Sequence, residues 1–334
     1  MENLSTQTTP ETRTKLPFSR IGLSFFLFML IGQGLAAVAF GVCGQFFPQL
    51  AEADWFIWAA SYAPLYLIAF PIFLLIMRGA PNTAEHRAQK PQGKIGLGKI
   101  IVIALACLAV SLGLNLLIML TSMLIERAGG APLMNGLAEV ASASGVIPTL
   151  ICMVLVAPIM EEITFRWILY KKLAGYGGKV YVLTSALLFS LFHASFFQIP
   201  YAFAIGFVLA VVIWRTGKLR YTIAIHMIVN LLGSMSVVVM KLTEGLEDQM
   251  IIEGFSAQDL ISSAWGLFLI MLAVLGVILG AVLYSKHRAS LRLEPGDLGT
   301  PRAGKVLLNT GMILFVILVA GLMVLAQFSG QLAA

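Results

Sequence analysis

Nine apolar runs dominate this 334-residue chain: 21–44, 55–77, 98–124, 146–170, 180–197, 200–216, 221–241, 260–285 and 305–328. A helix needs about 20 apolar residues to cross a hydrocarbon layer of about 30 Å. In lipid no water satisfies the peptide groups, so a spanning segment must be a helix or part of a closed barrel. Runs of this length exclude the barrel. The expected fold is therefore all-α: a polytopic transmembrane helical bundle of about eight to nine spans. Runs 180–197 and 200–216 are short and share the apolar connector Phe196–Tyr201. They are read either as two crossings or as a re-entrant pair that does not fully cross.

Composition agrees. The chain is 59% hydrophobic and 11% charged, with mean hydropathy +0.92. That places it among membrane proteins rather than soluble ones. The polar stretches are the N-terminal tail, 78–99, 126–145, 242–259 and 286–304. None is long enough for a soluble domain, and no internal repeat is visible. The expected division is a cytoplasmic tail at 1–20, N-terminal spans at 21–145, a functional core at 146–241 and C-terminal spans at 242–334.

The net charge of +6 is not read as a nucleic-acid signal, because the basic residues fall in alternate loops. Cytoplasmic loops carry the excess of Lys and Arg. A cytoplasmic N-terminus puts Arg13, Lys15, Arg20, Arg78, Arg87, Lys90, Lys94, Lys99, Arg166, Lys171, Lys172, Lys179, Arg215, Lys218, Arg220, Lys286, Arg288, Arg292, Arg302 and Lys305 on one side. Only Arg127 and Lys241 fall on the other. Residues 1–20 precede a long apolar run with no small-residue cleavage pattern, which reads as an uncleaved first span. Cys43, Cys107 and Cys152 lie far apart in apolar runs and suggest neither a disulfide nor a metal motif. Gly276 and Gly280 form a GxxxG, read as close packing within the chain rather than a dimer seam. The oligomeric state is left open.

Of the 16 acidic residues, only Glu161 and Glu162 lie inside an apolar run, in APIMEEITFRWILY. An intramembrane acid is costly and points to function. Helical residues four apart share a face, and neighbours diverge by about 100°. Arg166 is thus expected to pair with Glu162, leaving Glu161 to face a cavity. Partial desolvation makes a carboxylate a better base toward water. Pro158 lacks an N–H, so the helix is expected to kink or loosen there, which would help water enter. The plain alternative is a buried ion pair that only fixes packing.

Two of the four histidines are also intramembrane: His193 in LLFSLFHASFF and His226 in YTIAIHMIVNLL. Asn230, four residues after His226, shares its face. Taken singly, each has a structural reading, a packing histidine or an interhelical clamp worth about 1 kcal/mol. Counting about 1.5 Å per residue puts Glu161 and Asn230 about 13 Å deep, His226 about 7 Å and His193 about 20 Å. Two carboxylates and two imidazoles at membrane depth are the parts of a hydrolytic site.

EEITFR (Glu161–Arg166), FSLFH (Phe189–His193) and HMIVN (His226–Asn230) resemble, in order and spacing, the EExxxR, FxxxH and HxxxN motifs of the CAAX protease and bacteriocin-processing family. These are membrane endopeptidases that include the Ras-converting CAAX proteases. The resemblance covers about residues 146–241. It implies an intramembrane endopeptidase in which Glu161 activates water with His193, and His226 and Asn230 stabilise the oxyanion. Glu162 and Arg166 would support them. Preorganised donors act strongly in a low-dielectric site.

The preferred reading uses no metal or other cofactor. The alternative is zinc on Glu161, His193 and His226, although the HExxH spacing is absent. The expected partners are the lipid bilayer and a membrane-associated peptide or protein. A prenylated CAAX tail suits a eukaryotic host. A bacteriocin precursor, signalling peptide or membrane-protein tail suits a bacterial cell membrane, toward which the compact loops lean. Competing functions are a non-catalytic peptide-binding, immunity or regulatory protein, and a proton-coupled transporter. The transporter would favour related halves.

Overall fold

The structure, a computed structural model, describes residues 17–332 except 88–90, 92, 253 and 289–290. Arg13, Lys15, Lys90 and most of the expected N-terminal tail lie outside the described residues. Among the described residues, eight helices are long and apolar enough to cross a membrane: α1 (Phe18–Phe46), α2 (Phe56–Arg78), α3 (Leu97–Arg127), α4 (Val146–Tyr176), α6 (Ile199–Thr216), α7 (Leu219–Leu242), α8 (Ala257–His287) and α9 (Thr310–Leu332). A shorter apolar helix, α5 (Gly178–Phe192), joins α4 to α6. A small antiparallel hairpin, β1 (Met250–Ile252) with β2 (Phe255–Ser256), precedes α8. The all-α bundle is therefore present, and each of the nine apolar runs overlaps one of these helices.

Local chemistry sets the helix ends. Gly217 closes α6 with φ +64°, where a side chain would be strained, and its N–H bonds to the Ile213 carbonyl at 2.7 Å. Ser256 and Asp259 form a reciprocal capping box at the start of α8. The run expected at 305–328 starts later as a continuous helix. The Asn309 side chain accepts the Met312 N–H at 3.1 Å and restarts the chain as α9. The run expected at 180–197 stops at Phe192. His193–Gln198 forms turns, with Ala194 at φ +46°, and Pro200 sits in the first turn of α6. With 15 residues, α5 rises only about 22 Å. Most of its side chains are buried in protein, so it is better described as a core helix than as a lipid-facing span.

The connections meet in two groups. In one, Thr83 bonds the Lys172 carbonyl at 2.9 Å, Arg87 bonds the Tyr170 hydroxyl at 2.9 Å, and Leu298 N–H bonds the Gly175 carbonyl at 3.1 Å. In the other, the Trp58 indole bonds Ser144 at 2.7 Å, Lys241 bonds the Ser142 carbonyl at 2.8 Å, and Gln327 bonds the Pro132 carbonyl at 2.6 Å. The loops that share a side by charge thus also meet in space.

Aromatic rings fill the centre. Phe25 of α1 stacks on Phe165 of α4 at 5.2 Å and meets Phe73 of α2 at 5.0 Å and Phe315 of α9 at 5.9 Å. Phe165 also meets Phe189 and Phe192 of α5 at 5.3 and 5.4 Å. Such pairs each contribute about 0.5–1.5 kcal/mol beyond area burial, and this cluster fixes α4 against α5. A second cluster, including Cys107, Leu209 and Ile225, joins α3, α6 and α7. The GxxxG works inside the chain: a side chain at Gly276 would collide with the Leu105 carbonyl, and one at Gly280 would meet Ala106 at 3.1 Å.

Candidate active site

The helix bearing the two acids is not a regular α-helix. Its turns widen to the π form at Ile151–Val156 and again at Glu162–Ile168, so Glu161 sits between two expanded segments. Such segments cluster at functional positions because they re-aim side chains and free backbone groups. Pro158 bears on the first. In this register the Ala157 N–H bonds the Cys152 carbonyl, five residues back. The next donor in the series would be residue 158, and proline has none. The Met153 carbonyl is left over, and the Asn230 side-chain amide donates to it at 2.8 Å. In the second segment, Ser185 donates to the Phe165 carbonyl at 2.7 Å and Tyr181 to the Arg166 carbonyl at 3.2 Å. Neighbouring helices thus satisfy what the widened turns release.

Four residues at i, i+4 spacing on α7 form a polar row facing α4. Thr222 begins the row, its hydroxyl donating to the Leu219 carbonyl at 2.9 Å. His226 Nδ1 lies 2.9 Å from Glu162 Oε1, and its Nε2 lies 3.6 Å from Glu161 Oε2. Asn230 takes the Met153 carbonyl, and Ser234 lies 3.8 Å from the Met153 sulfur. Thr222 and Ser234 were not singled out from the sequence, although the repeat 222, 226, 230, 234 is visible in it.

The expected Glu162–Arg166 pair is present. Arg166 Nε lies 3.3 Å from Glu162 Oε2, and both side chains are fully buried. The guanidinium also lies 4.1 Å from the centre of the Phe189 ring, a cation–π contact. Glu161 keeps 16% of its side chain exposed. The two acids do not diverge as far as the helical count implied, because both reach the same imidazole from opposite nitrogens.

The histidines differ. His193 caps α5, and its Nδ1 donates to the Phe189 carbonyl at 2.8 Å. That leaves Nε2 as the acceptor in the neutral ring. His226 instead sits between two carboxylates, Glu162 at Nδ1 and Glu161 at Nε2. Both rings pack edge-on to Phe189, with centroids 4.9 Å away for His193 and 5.8 Å for His226. They therefore lie closer together than the depth count suggested, since axial rise ignores helix tilt. Glu161 is close enough to act electrostatically on His193, and also on Tyr62, Tyr66 and Tyr201. These tyrosines of α2 and α6 carry no sequence motif.

Among the described residues, no three His, Cys, Asp or Glu side chains are grouped so that they could hold a metal ion. Nδ1 of His226 is held by Glu162 and Nδ1 of His193 by the Phe189 carbonyl, which orients both rings and leaves Nε2 of each toward the site.

Residues 143–232 match the family model described as type II CAAX prenyl endopeptidase Rce1-like. The match takes in all six motif residues: Glu161, Glu162, Arg166, His193, His226 and Asn230. No curated protein and no solved structure matched the chain. The match covers 90 of the chain's 334 residues, so the likeness to that family is a likeness of this segment.

Proposed function

We propose that this chain is an intramembrane endopeptidase of the CAAX protease family that hydrolyses a peptide bond with a water activated by Glu161. The observation that carries this reading is the unequal setting of four polar side chains. Glu162 is neutralised by Arg166, whereas Glu161 remains partly open. His193 offers an acceptor at Nε2. His226 at 3.6 Å is too far from Glu161 for a committed hydrogen bond.

In this mechanism Glu161 takes a proton from water while His193 Nε2 orients the water through its second hydrogen. The resulting hydroxide adds to the scissile carbonyl. Once Glu161 is protonated, His226, which in this mechanism carries a hydrogen on each nitrogen, turns its Nε2–H to the oxyanion. Asn230 spends one amide hydrogen on Met153 and has a second for the same oxyanion. Collapse expels the amine, which takes its proton from Glu161. No step calls for a metal. The substrate is a membrane-associated peptide or protein, and the bilayer is part of the site's surroundings. The N-terminus is proposed to be cytoplasmic, from the charge asymmetry of the loops.

The test compares peptide termini in membranes bearing the wild-type chain or Glu161→Gln, with and without a strong chelator. New termini are expected with wild type in both conditions and not with the variant. Identical termini for wild type and variant refute the role of Glu161. Loss on chelation with recovery by zinc refutes the metal-free mechanism.

A further inference from the structure

A cleft of about 370 Å³ opens where α4, the end of α6 and the start of α7 meet; Trp167, Gly217, Lys218, Leu219 and Arg220 line it. Three cations gather there. Lys171 Nζ lies 4.5 Å from the centre of the Trp167 ring. Lys218 and Arg220 lie 5.8 and 5.1 Å from the Tyr221 ring, and Arg220 donates to the Tyr221 hydroxyl at 3.4 Å. None of the three is paired with a carboxylate among the described residues. Elsewhere at this end of the bundle, Arg215 pairs with Glu294. The cleft thus concentrates uncompensated charge instead of dispersing it.

Its position narrows the ligand. It lies at the ends of three membrane-length helices, on the side where the basic loops meet, so it falls at the headgroup level. Tryptophan and tyrosine are enriched at that level. Basic pockets between transmembrane helices on this side suit anionic headgroups. We infer that the cleft binds the headgroup of one anionic phospholipid, with Lys171, Lys218 and Arg220 around the phosphate and Trp167 against the glycerol region. Trp167 directly follows Arg166, and Arg220 lies six residues before His226. A lipid here would bridge the two helices that carry the site. The inference does not rest on the proteolytic reading, because its test measures binding alone.

The test is native mass spectrometry of the full chain in detergent, titrated with dioleoylphosphatidylglycerol or dioleoylphosphatidylcholine. One equivalent of the anionic lipid is expected to be retained in preference to the zwitterionic one. Lys218→Gln with Arg220→Gln is expected to weaken it on the order of 30-fold, from two surface cations acting on one headgroup. Lys171→Gln alone is expected to weaken it about fivefold, which keeps the test open should the double variant not fold. Arg302→Gln with Lys305→Gln, on the same side but outside the cleft, is expected to leave it unchanged. Equal retention of both lipids, or of the anionic lipid by wild type and cleft variants, overturns the proposal. So does competition by inorganic phosphate at the lipid's own affinity. Unchanged lipid retention, together with weaker binding of a peptide only when its C-terminal carboxylate is free, overturns it in favour of a substrate-terminus site.

Discussion

Replacing Asn230 with alanine removes the donor that fills the Met153 carbonyl, a group that Pro158 leaves without a backbone partner. An unsatisfied buried carbonyl costs about 1–3 kcal/mol. Interhelical hydrogen bonds in membranes average about 0.6 kcal/mol and reach about 1.7. The expected destabilisation is therefore about 1–2 kcal/mol. The same geometry makes a sharper statement. Pro158→Ala supplies an N–H at the position where the widened turn needs one. Asn230→Ala should then cost less in a Pro158→Ala background than in wild type. A coupling of about 1 kcal/mol is expected, within the range seen for residues that share a partner. Equilibrium unfolding of the four variants in detergent measures it. Additive costs within about 0.3–0.5 kcal/mol would refute the shared carbonyl. Turnover separates the second role. If the other amide hydrogen serves the oxyanion, Asn230→Ala should lower kcat by about 10²–10³ per folded molecule, with or without Pro158. Normal turnover with reduced stability would leave Asn230 a purely structural residue.

Glu162→Gln strips charge from a fully buried pair and should destabilise by about 3–5 kcal/mol, read by melting in detergent; an unchanged melting temperature would contradict the pairing. Reporters at Pro91 and Gly296 should lie on the cytoplasmic side and reporters at Gly130 and after residue 334 outside; Pro91 and Gly130 on one side would refute the orientation. Glu294, which accepts from the Trp214 indole at 3.0 Å, gives a pH prediction. Burial pushes its carboxyl up, but its own backbone N–H, the Trp214 indole and the Arg215 and Arg87 charges outweigh this and hold it below its ordinary value of 4.5. A depressed carboxyl contributes stability that is present above the unfolded value and is lost as pH falls through the folded one. Hydrogen exchange in 291–299 should therefore rise below about pH 4.5, and Glu294→Gln should remove that dependence; a pH response that persists in the variant would refute it.

The spans were legible because length and hydropathy dictate a membrane helix with little reference to tertiary structure. The Glu162–Arg166 pair was legible for a similar reason, since i, i+4 spacing is a local rule. What escaped depends on a second helix. Widened turns have nearly the same backbone angles as ordinary ones, and only the accounting of carbonyls against donors on α5 and α7 reveals them. Pro158 signalled a disturbance, but not that Asn230 would answer it. The contact of both acids with His226 was missed because the helical count treats α4 as regular. Tyr62, Tyr66 and Tyr201 were invisible because proximity in a bundle has no sequence period.

The closeness of Glu161, Glu162, Arg166 and His226 has a consequence for proton inventory. With Arg166 charged, their formal charges sum to zero when one proton is shared among the two carboxylates and the second nitrogen of the imidazole. Losing one proton to bulk leaves a net negative charge in apolar surroundings, and gaining one leaves a net positive charge; both are disfavoured. In the proposed mechanism the proton that Glu161 takes from water leaves its negative counter-charge on the adjoining oxyanion, so the site stays neutral while that proton is kept and then passed to the departing amine. Such a closed circuit exchanges nothing with either aqueous compartment until product leaves. Hydrolysis in this arrangement is expected to run without drawing on the transmembrane proton gradient, which sets it apart from a carrier built from the same side chains.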